Sequence, residues 1–489
     1  MAVPRSKTSI PSQPVQLLSF SPDAPQAQDG AVQDAFNMFP ISRGFRTFPG
    51  QRVLGAALPS PCFGSFSGLL VATPIFAAAT ANGLYVANSA GSLAPSLLGF
   101  ANTVNRWRFA AYGTPTATPA YQDLLATDGV DPVQRYQLST LGWSPLPNGF
   151  IDNSPPPLAS IVASSDYALI LVLPNSQTFV STFNETPPSW IGSVPNQVYY
   201  QPISQSPGNI TAAGRLRNTM VFYKANAIHV AYFAGGTTGW SVQDSSIQYG
   251  VLNQEWVINT GDYHYFPTVT HDFWQFDGWN LTRLSNQMAE FFRQDHNDAY
   301  MYLMAGVYDS IRELLIWTYS SMQADPPGTL DTWLIYYLRT GNWSFQRLPI
   351  DLPMVYLNPS DSHFYPGYFG LDHAPRIYDD ELAPGRSYIT SNYFGDYLSL
   401  WQSVRIRPGF SLLPKGGASC TPISQYVAGT LWGPQGDMAA QVGAISEPLS
   451  ADGWFNLQHT DRLTSYQIVM NGLAEIVELQ PQLIYAGEQ

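Results

Sequence analysis

The 489-residue chain is short of charge, of cysteine and of long apolar runs. Charged residues make up 12% of it, against about 25% in an average soluble chain. Its only lysines are Lys7, Lys224 and Lys415, and its formal net charge is −13. Gripping nucleic acid takes clustered Lys and Arg that neutralise phosphates, so tight nucleic-acid binding is excluded as a function class. An acidic surface instead repels a polyanion, which suits a wall that DNA slides past without sticking. The two cysteines, Cys62 and Cys420, stand far apart without metal-ligand spacing. Two free buried thiols are expected, with one long-range disulfide as the alternative. No run of roughly 18 apolar residues occurs, and the opening MAVPRSKTSIPSQPVQLLSF holds no apolar stretch of signal-peptide length. The expectation is a soluble protein made in a cytoplasm.

Motifs of catalysis are missing as well. The seven histidines form no HExxH pair and no Cys/His zinc spacing, and neither G-x-S-x-G nor GxxxxGK[ST] appears. No catalytic, cofactor-binding or metal-ligating residue is therefore assigned, and the chain is expected not to be an enzyme. The run TDGVDP (127–132) lacks the remaining positions of a calcium loop and reads as a turn.

What the sequence does have is aromatics, at 14%, with 39 Gly and 40 Pro. From about residue 63, short apolar or alternating runs are separated by two to four turn residues, as in TMVFYKANAIHVAYF (219–233) and DTWLIYYLRTGNWSFQRL (331–348). Asn, Asp and Gly tolerate the positive φ that hairpin turns need. Strand pairs of this kind recur near 84, 125, 166, 226, 277, 309 and 341. Spacing of about 40 to 50 residues is that of four-stranded propeller blades, and radial closure leaves few exposed edges. The fold expected is all-β, a multi-bladed β-propeller over 61–350. An extended Pro-rich arm over 1–60 precedes it, with Pro4, Pro11, Pro14, Pro22 and Pro25 disfavouring helix. A second β region or tip with the closing strands occupies 351–489. One short helix is expected within LSNQMAEFFRQDH (284–296), where Leu284, Met288, Phe291 and Phe292 share a face.

The stretch FWQFDGWNLTRL (273–284) admits two readings. Trp274 and Trp279 beside Asp272, Asp277, Glu290, Asp295 and Asp298 could form a glycosidase or lectin cleft, which needs two carboxylates and aromatic platforms. Alternatively Asp277-Gly278 is a hairpin turn whose Asp caps backbone donors and whose aromatics pack between sheets. Turn preference favours the second.

Several phrases together resemble one family. NMFPISRGFRTFPG (37–50) resembles the opening of podovirus tail nozzle proteins, the tail hub or packaged-DNA stabilisation group. WRFAAYG with DLLATDGVDPVQRY (107–136), and the run 212–297 with its Phe-Asp-Gly hairpin, are similar to blades of these proteins, and TDRLTSYQIVMNGL (460–473) to their closing strands. Residues 351–460 depart from the family pattern. The resemblance implies a virion structural protein of the phage tail, a propeller that assembles as a ring of generally six copies. Its implied partners are its own copies, the portal-adaptor ring, and tail fibre or tailspike and needle proteins. Double-stranded DNA would pass transiently, without sequence-specific binding, and the tip could touch the host outer surface. Two alternatives stand beside it: a carbohydrate-binding or carbohydrate-hydrolysing propeller, and a receptor-binding tail protein whose function lies in 351–460.

Overall fold

The computed structural model describes residues 9–11, 13–21, 30–88, 91–101, 105–113, 122–165, 168–245, 247–284, 288–395, 399–424, 446–461 and 463–488. Lys7, Pro4, Pro22 and Pro25 lie outside them. The described residues are of the all-β class, with strands as the dominant element, and form a β-propeller. Five antiparallel four-stranded sheets follow one another at 64–98, 108–145, 161–202, 212–244 and 258–283, each with its strands in sequence order. The first strands of successive sheets lie against one another, or meet through the single-turn helix Gln254–Trp256, and so line the axis. Second strands such as Asp123–Thr127 and Leu314–Tyr319 are buried along their whole length, because both of their faces meet neighbouring blades. That explains why these strands read as continuous apolar runs rather than as alternation.

Blades 6 and 7 share one seven-stranded sheet. Strand Asn342–Leu357 is the outer strand of blade 6 through Ile350, then shifts register and becomes the inner strand of blade 7, pairing with Phe364–Gly370. Strand Pro375–Asp379 follows, and the fourth place is filled from the other end of the chain by Gly50–Val53. Arg376 is opposite Val53 and Asp379 opposite Gly50 in an antiparallel register. The Leu54 amide extends this ladder to the Pro375 carbonyl at 2.9 Å, and Arg52 reaches the Asp379 carboxylate at 3.3 Å. The ring thus closes on itself through a strand that precedes blade 1. Close approach of blades 1 and 2 rests on a glycine: a Cβ on Gly64 would lie 2.2 Å from the Trp107 carbonyl oxygen.

Described residues of the expected extended arm, from Ser9 to Val53, instead include seven strands. Two seven-stranded sheets, built from 9–47 and 386–488, face each other over one core. Ala31–Phe36 pairs with Arg386–Ser391, and Phe45–Thr47 with Glu475–Glu488. Phe45, Val32, Ile406, Ile468, Met470 and Ile476 fill the space between them. Along Leu463–Asn471, Tyr466, Ile468 and Met470 point inward while Gln467 and Val469 are only partly buried, the period of a sandwich strand. The propeller is therefore an insertion of about 50–379 into a β-sandwich made from both chain ends. This moves both expected boundaries, 60 and 350, because the pairings that set them join residues more than 350 positions apart. The short helix is present as Ala289–Asp295, in the crossover between blades 5 and 6.

The two parts are packed together by aromatics. Phe20 stacks on Phe345 at 5.1 Å and meets Phe291 edge-on at 5.4 Å. Phe48, fully buried, stacks on Tyr378 of the closing blade at 4.7 Å. Both cysteines are free and buried, Cys62 against blades 1 and 7 and Cys420 in the sandwich core.

Replacing Phe48 by Ala removes the ring that joins the closing blade to the sandwich, and is expected to cost about 3–5 kcal/mol, read as a lower denaturant midpoint. Asp34, which accepts a hydrogen bond from the Tyr388 hydroxyl at 3.0 Å, supplies a second outcome. Burial pushes its carboxyl up to about 6, against the opposing pull of Tyr388. The folded chain holds that proton more tightly than the unfolded one, so its contribution is present below about pH 4 and is lost as pH rises through about 6. The Asp34→Asn variant should lack this decline and be more stable than the parent at pH 8, by on the order of 2 kcal/mol in denaturant titrations.

Candidate functional site

In this fold the carboxylates around Trp274 and Trp279 do not converge. Asp277 caps its own turn, accepting from the Trp279 and Asn280 amides at 2.8 and 2.7 Å, while Gly278 takes a φ of 101°. Asp272 pairs with Arg283, Glu290 with Arg293, and Asp295 with Arg347 and the Tyr319 hydroxyl. The stretch is a structural hairpin, strands Phe273–Phe276 and Leu281–Arg283, with Phe273 and Phe276 buried in the core. Trp279 alone stands out, 65% exposed with its ring 6.3 Å from Tyr232. Asp128 likewise serves its turn, accepting from Val130 and Asp131 amides at 3.0 and 2.9 Å.

The polar constellation that does form lies at the propeller axis. It is built from residues that enter the innermost strands, and all therefore sit at one end of the ring: Cys62, Arg106, Arg108, Ser160, Asn253, Glu255 and Asp351. Arg108 uses its whole guanidinium fork. Nε and Nη2 donate to the two Glu255 carboxylate oxygens at 2.7 and 3.1 Å, Nη2 also reaches Asn253 Oδ1 at 2.6 Å, and Nη1 donates to the Ser160 carbonyl at 2.6 Å. One side chain of blade 2 thus ties blade 3 to the segment that enters blade 5. Arg106 crosses in another direction, donating to the Leu303 carbonyl at 2.9 Å and the Cys62 carbonyl at 3.4 Å. Asp351, at the head of blade 7, accepts from His373 Nδ1 at 2.5 Å and from the Cys62 amide at 3.4 Å.

Electrostatics explains how these charges coexist. Burial lowers the Arg106 pKa, and the nearby Glu255 charge opposes that. Burial by itself would raise the Glu255 carboxyl; the Arg108 charge and hydrogen bonds, with Arg106 behind them, outweigh it and hold the group below its usual range. Asp351 is pushed up by burial, partly offset by His373. Arg108 and Glu255 form a direct buried ion pair, whereas Arg106 is held by two backbone carbonyls with its Nε left without a partner and Glu255 as the nearby opposing charge. The cluster fills the axis rather than opening a cleft.

Two surface clefts accompany it. One of about 370 Å³ lies between propeller and sandwich, lined in part by Phe36, Gln51, Gln346 and Arg386. Another of about 410 Å³ lies in the sandwich beside Arg407, Phe410, Leu413 and Glu478. Neither lining brings together two carboxylates with an indole. Sequence reading missed the axial network because its members are polar residues scattered over five separate stretches of chain; the only local signal was Arg106 and Arg108 flanking Trp107 at a strand start.

No protein-family model and no curated protein matches the chain. Among solved structures it is similar to the computationally designed Ika8 protein, with a TM-score of 0.39 and 12% identity over 68% of this chain and 100% of that one. It is also similar to a streptogramin B lyase, at 0.42 and 9% over 67% and 96%. BamB from Moraxella catarrhalis gives 0.38 and 10% over 75% and 99%.

Substituting Glu255 by Gln leaves Arg108 and Arg106 uncompensated on the axis and should cost about 3–5 kcal/mol in unfolding free energy. Because the Glu255 pKa is depressed in the folded chain, its contribution is present above the ordinary carboxylate pKa and is lost as pH falls below it. Acid titration of stability should therefore show a steeper fall in the parent than in Glu255→Gln.

Proposed function

We propose that this chain is a structural protein of a short-tailed phage virion, a tail nozzle or hub ring that retains packaged DNA and acts as a conduit at ejection. The observation that carries the ring is an exposed apolar patch flanking blades 2 and 3. Phe150 and Ile151 are 69% and 71% exposed, and Ile191 and Val194 62% and 41%. Their loops are held together by the Ile151 amide on the Pro188 carbonyl at 2.8 Å and by Trp190 Nε1 on the Pro147 carbonyl at 3.0 Å. A rigid apolar patch of this kind marks a contact between proteins. A ring of six copies would use it head to tail against a different surface of the neighbour.

The charge supports the same reading. Six chains at −13 each make an acidic wall, which repels a polyanion instead of trapping it. Since Arg106 and Arg108 close the propeller axis, the DNA path in this reading is the lumen between copies and not the hole of one propeller. The chain then has no catalytic role. It docks on the portal-adaptor ring and on fibre, tailspike or needle proteins, and resides in the virion tail with a tip able to touch the host surface. The competing reading is a carbohydrate-binding propeller, and Trp279 beside Tyr232, at the opposite end of the ring from the axial network, is the observation on its side.

Cryo-electron microscopy of particles containing the chain should place it as a ring on the tail axis, and Ile151→Asp should reduce ring assembly at least tenfold in sedimentation or light scattering while leaving the monomer folded. Absence from the tail axis, with glycan binding lost in Trp279→Ala, would favour the carbohydrate reading instead.

A further inference from the structure

Among the described residues, one group of His and carboxylate side chains brings its ligand atoms together at a single point. His271 lies in the turn between the second and third strands of blade 5, His296 ends the helix Ala289–Asp295, and Asp298 opens the next helical turn. Their ligand atoms lie within 4.8 Å of one another. His296 Nε2 is 3.1 Å from His271 Nε2 and 2.7 Å from Asp298 Oδ1.

The protonation of this trio is constrained from behind. His296 Nδ1 lies 2.6 Å from the Phe292 carbonyl, which can only accept, so Nδ1 carries a proton. In the neutral imidazole Nε2 then presents a lone pair toward a second imidazole nitrogen and a carboxylate oxygen. One proton can bridge two of these three atoms, and it leaves the third facing a lone pair. A cation satisfies all three. The Phe292 carbonyl is also the support that metal-bound imidazoles use, a hydrogen bond on the far nitrogen that fixes tautomer and ring orientation.

We propose that His271 Nε2, His296 Nε2 and Asp298 Oδ1 form a binding site for one divalent first-row transition ion, zinc-like in preference. Two imidazole nitrogens with one carboxylate suit such an ion over magnesium or calcium, which take oxygen ligands. Ligand bonds of about 2.0–2.2 Å require the Asp298 oxygen to withdraw from His296 by less than about 1 Å. That movement is open to it, because the Asp298 side chain is 86% exposed while that of His296 is 3% exposed. The exposed side leaves the remaining positions to water. Phe292 packs against both imidazoles, with ring centroids 5.7 Å from His271 and 5.0 Å from His296, and walls the other side. The ion would staple blade 5 to the crossover that leads into blade 6.

The test uses the full chain, free of any tag and stripped with a chelator, titrated with Co²⁺ and with Zn²⁺. Expected are one Co²⁺ per chain with the visible d–d bands of an imidazole-ligated site, displacement by Zn²⁺, and a melting temperature that rises with Zn²⁺ concentration. His271→Gln and Asp298→Ala, neither of them at a fully buried position, should keep the fold by circular dichroism. Each should weaken binding by more than the roughly 10- to 100-fold that loss of a supporting hydrogen bond costs. Failure of the parent chain to bind either ion stoichiometrically would overturn the proposal and leave a proton-bridged His296–Asp298 pair. Undiminished binding in His271→Gln would overturn it equally, by placing the ion elsewhere.

Discussion

Closure of the ring by Gly50–Val53 against Pro375–Asp379 is the constraint on which the rest of the molecule depends. Seven blades in a row would leave an open edge at each end, and an unpaired strand edge is a site for aggregation. Taking the last strand from the segment before blade 1 ties those two ends together, with Gly50–Val53 as the outer strand of blade 7, and makes the closing blade a contact between sequence-distant segments. The sandwich then repeats the device at larger scale: residues 31–47 pair with 386–488, so the two chain ends leave the propeller side by side and finish one core together. Phe48, one turn before the closing strand, joins the two events by packing Tyr378 of blade 7 on one side and Phe39 of the sandwich region on the other.

Closure also dictates what the axis can be. When seven inner strands meet, the residues that lead into them are forced together, and here they are Arg106, Arg108, Glu255 and Asp351 rather than apolar side chains. Two guanidiniums in a small buried space are costly, and the cost is offset at Arg108, whose fork pairs with Glu255 and ties blades 2, 3 and 5, while Arg106 rests on carbonyls of Cys62 and Leu303. The same interactions that hold the ring in register therefore occupy its centre.

Much of the propeller was legible because its determinants are local. Hairpin turns such as Asp277-Gly278 and the alternating or continuous apolar runs around them identify strands, and the helical spacing of Met288, Phe291 and Phe292 locates the helix Ala289–Asp295 near its place. The positions near 309 and 341 both belong to blade 6, and blade 7 has no position of its own in that recurrence because its inner strand continues from blade 6 and its outer strand comes from residues 50–53. The sandwich was illegible for a related reason. Short strands such as Met38–Pro40 and Phe45–Thr47 carry no periodicity of their own, and the hairpin they form joins a sheet only through Phe45–Thr47 against Glu475–Glu488, more than 400 residues away. The His271, His296 and Asp298 trio likewise obeys no local ligand spacing, since a turn and a helix end bring it together.

Hydrogen exchange read by mass spectrometry tests the closure most directly. If Gly50–Val53 completes the ring, amides of Gln51–Val53 and of Arg376–Ile377 should exchange slowly and together, at rates set by the same opening as the buried strand Leu314–Tyr319. Fast exchange of 51–53 and 376–377 while the strands of blades 1 to 6 stay protected would contradict it, and would mean that the propeller is held without its N-terminal strand.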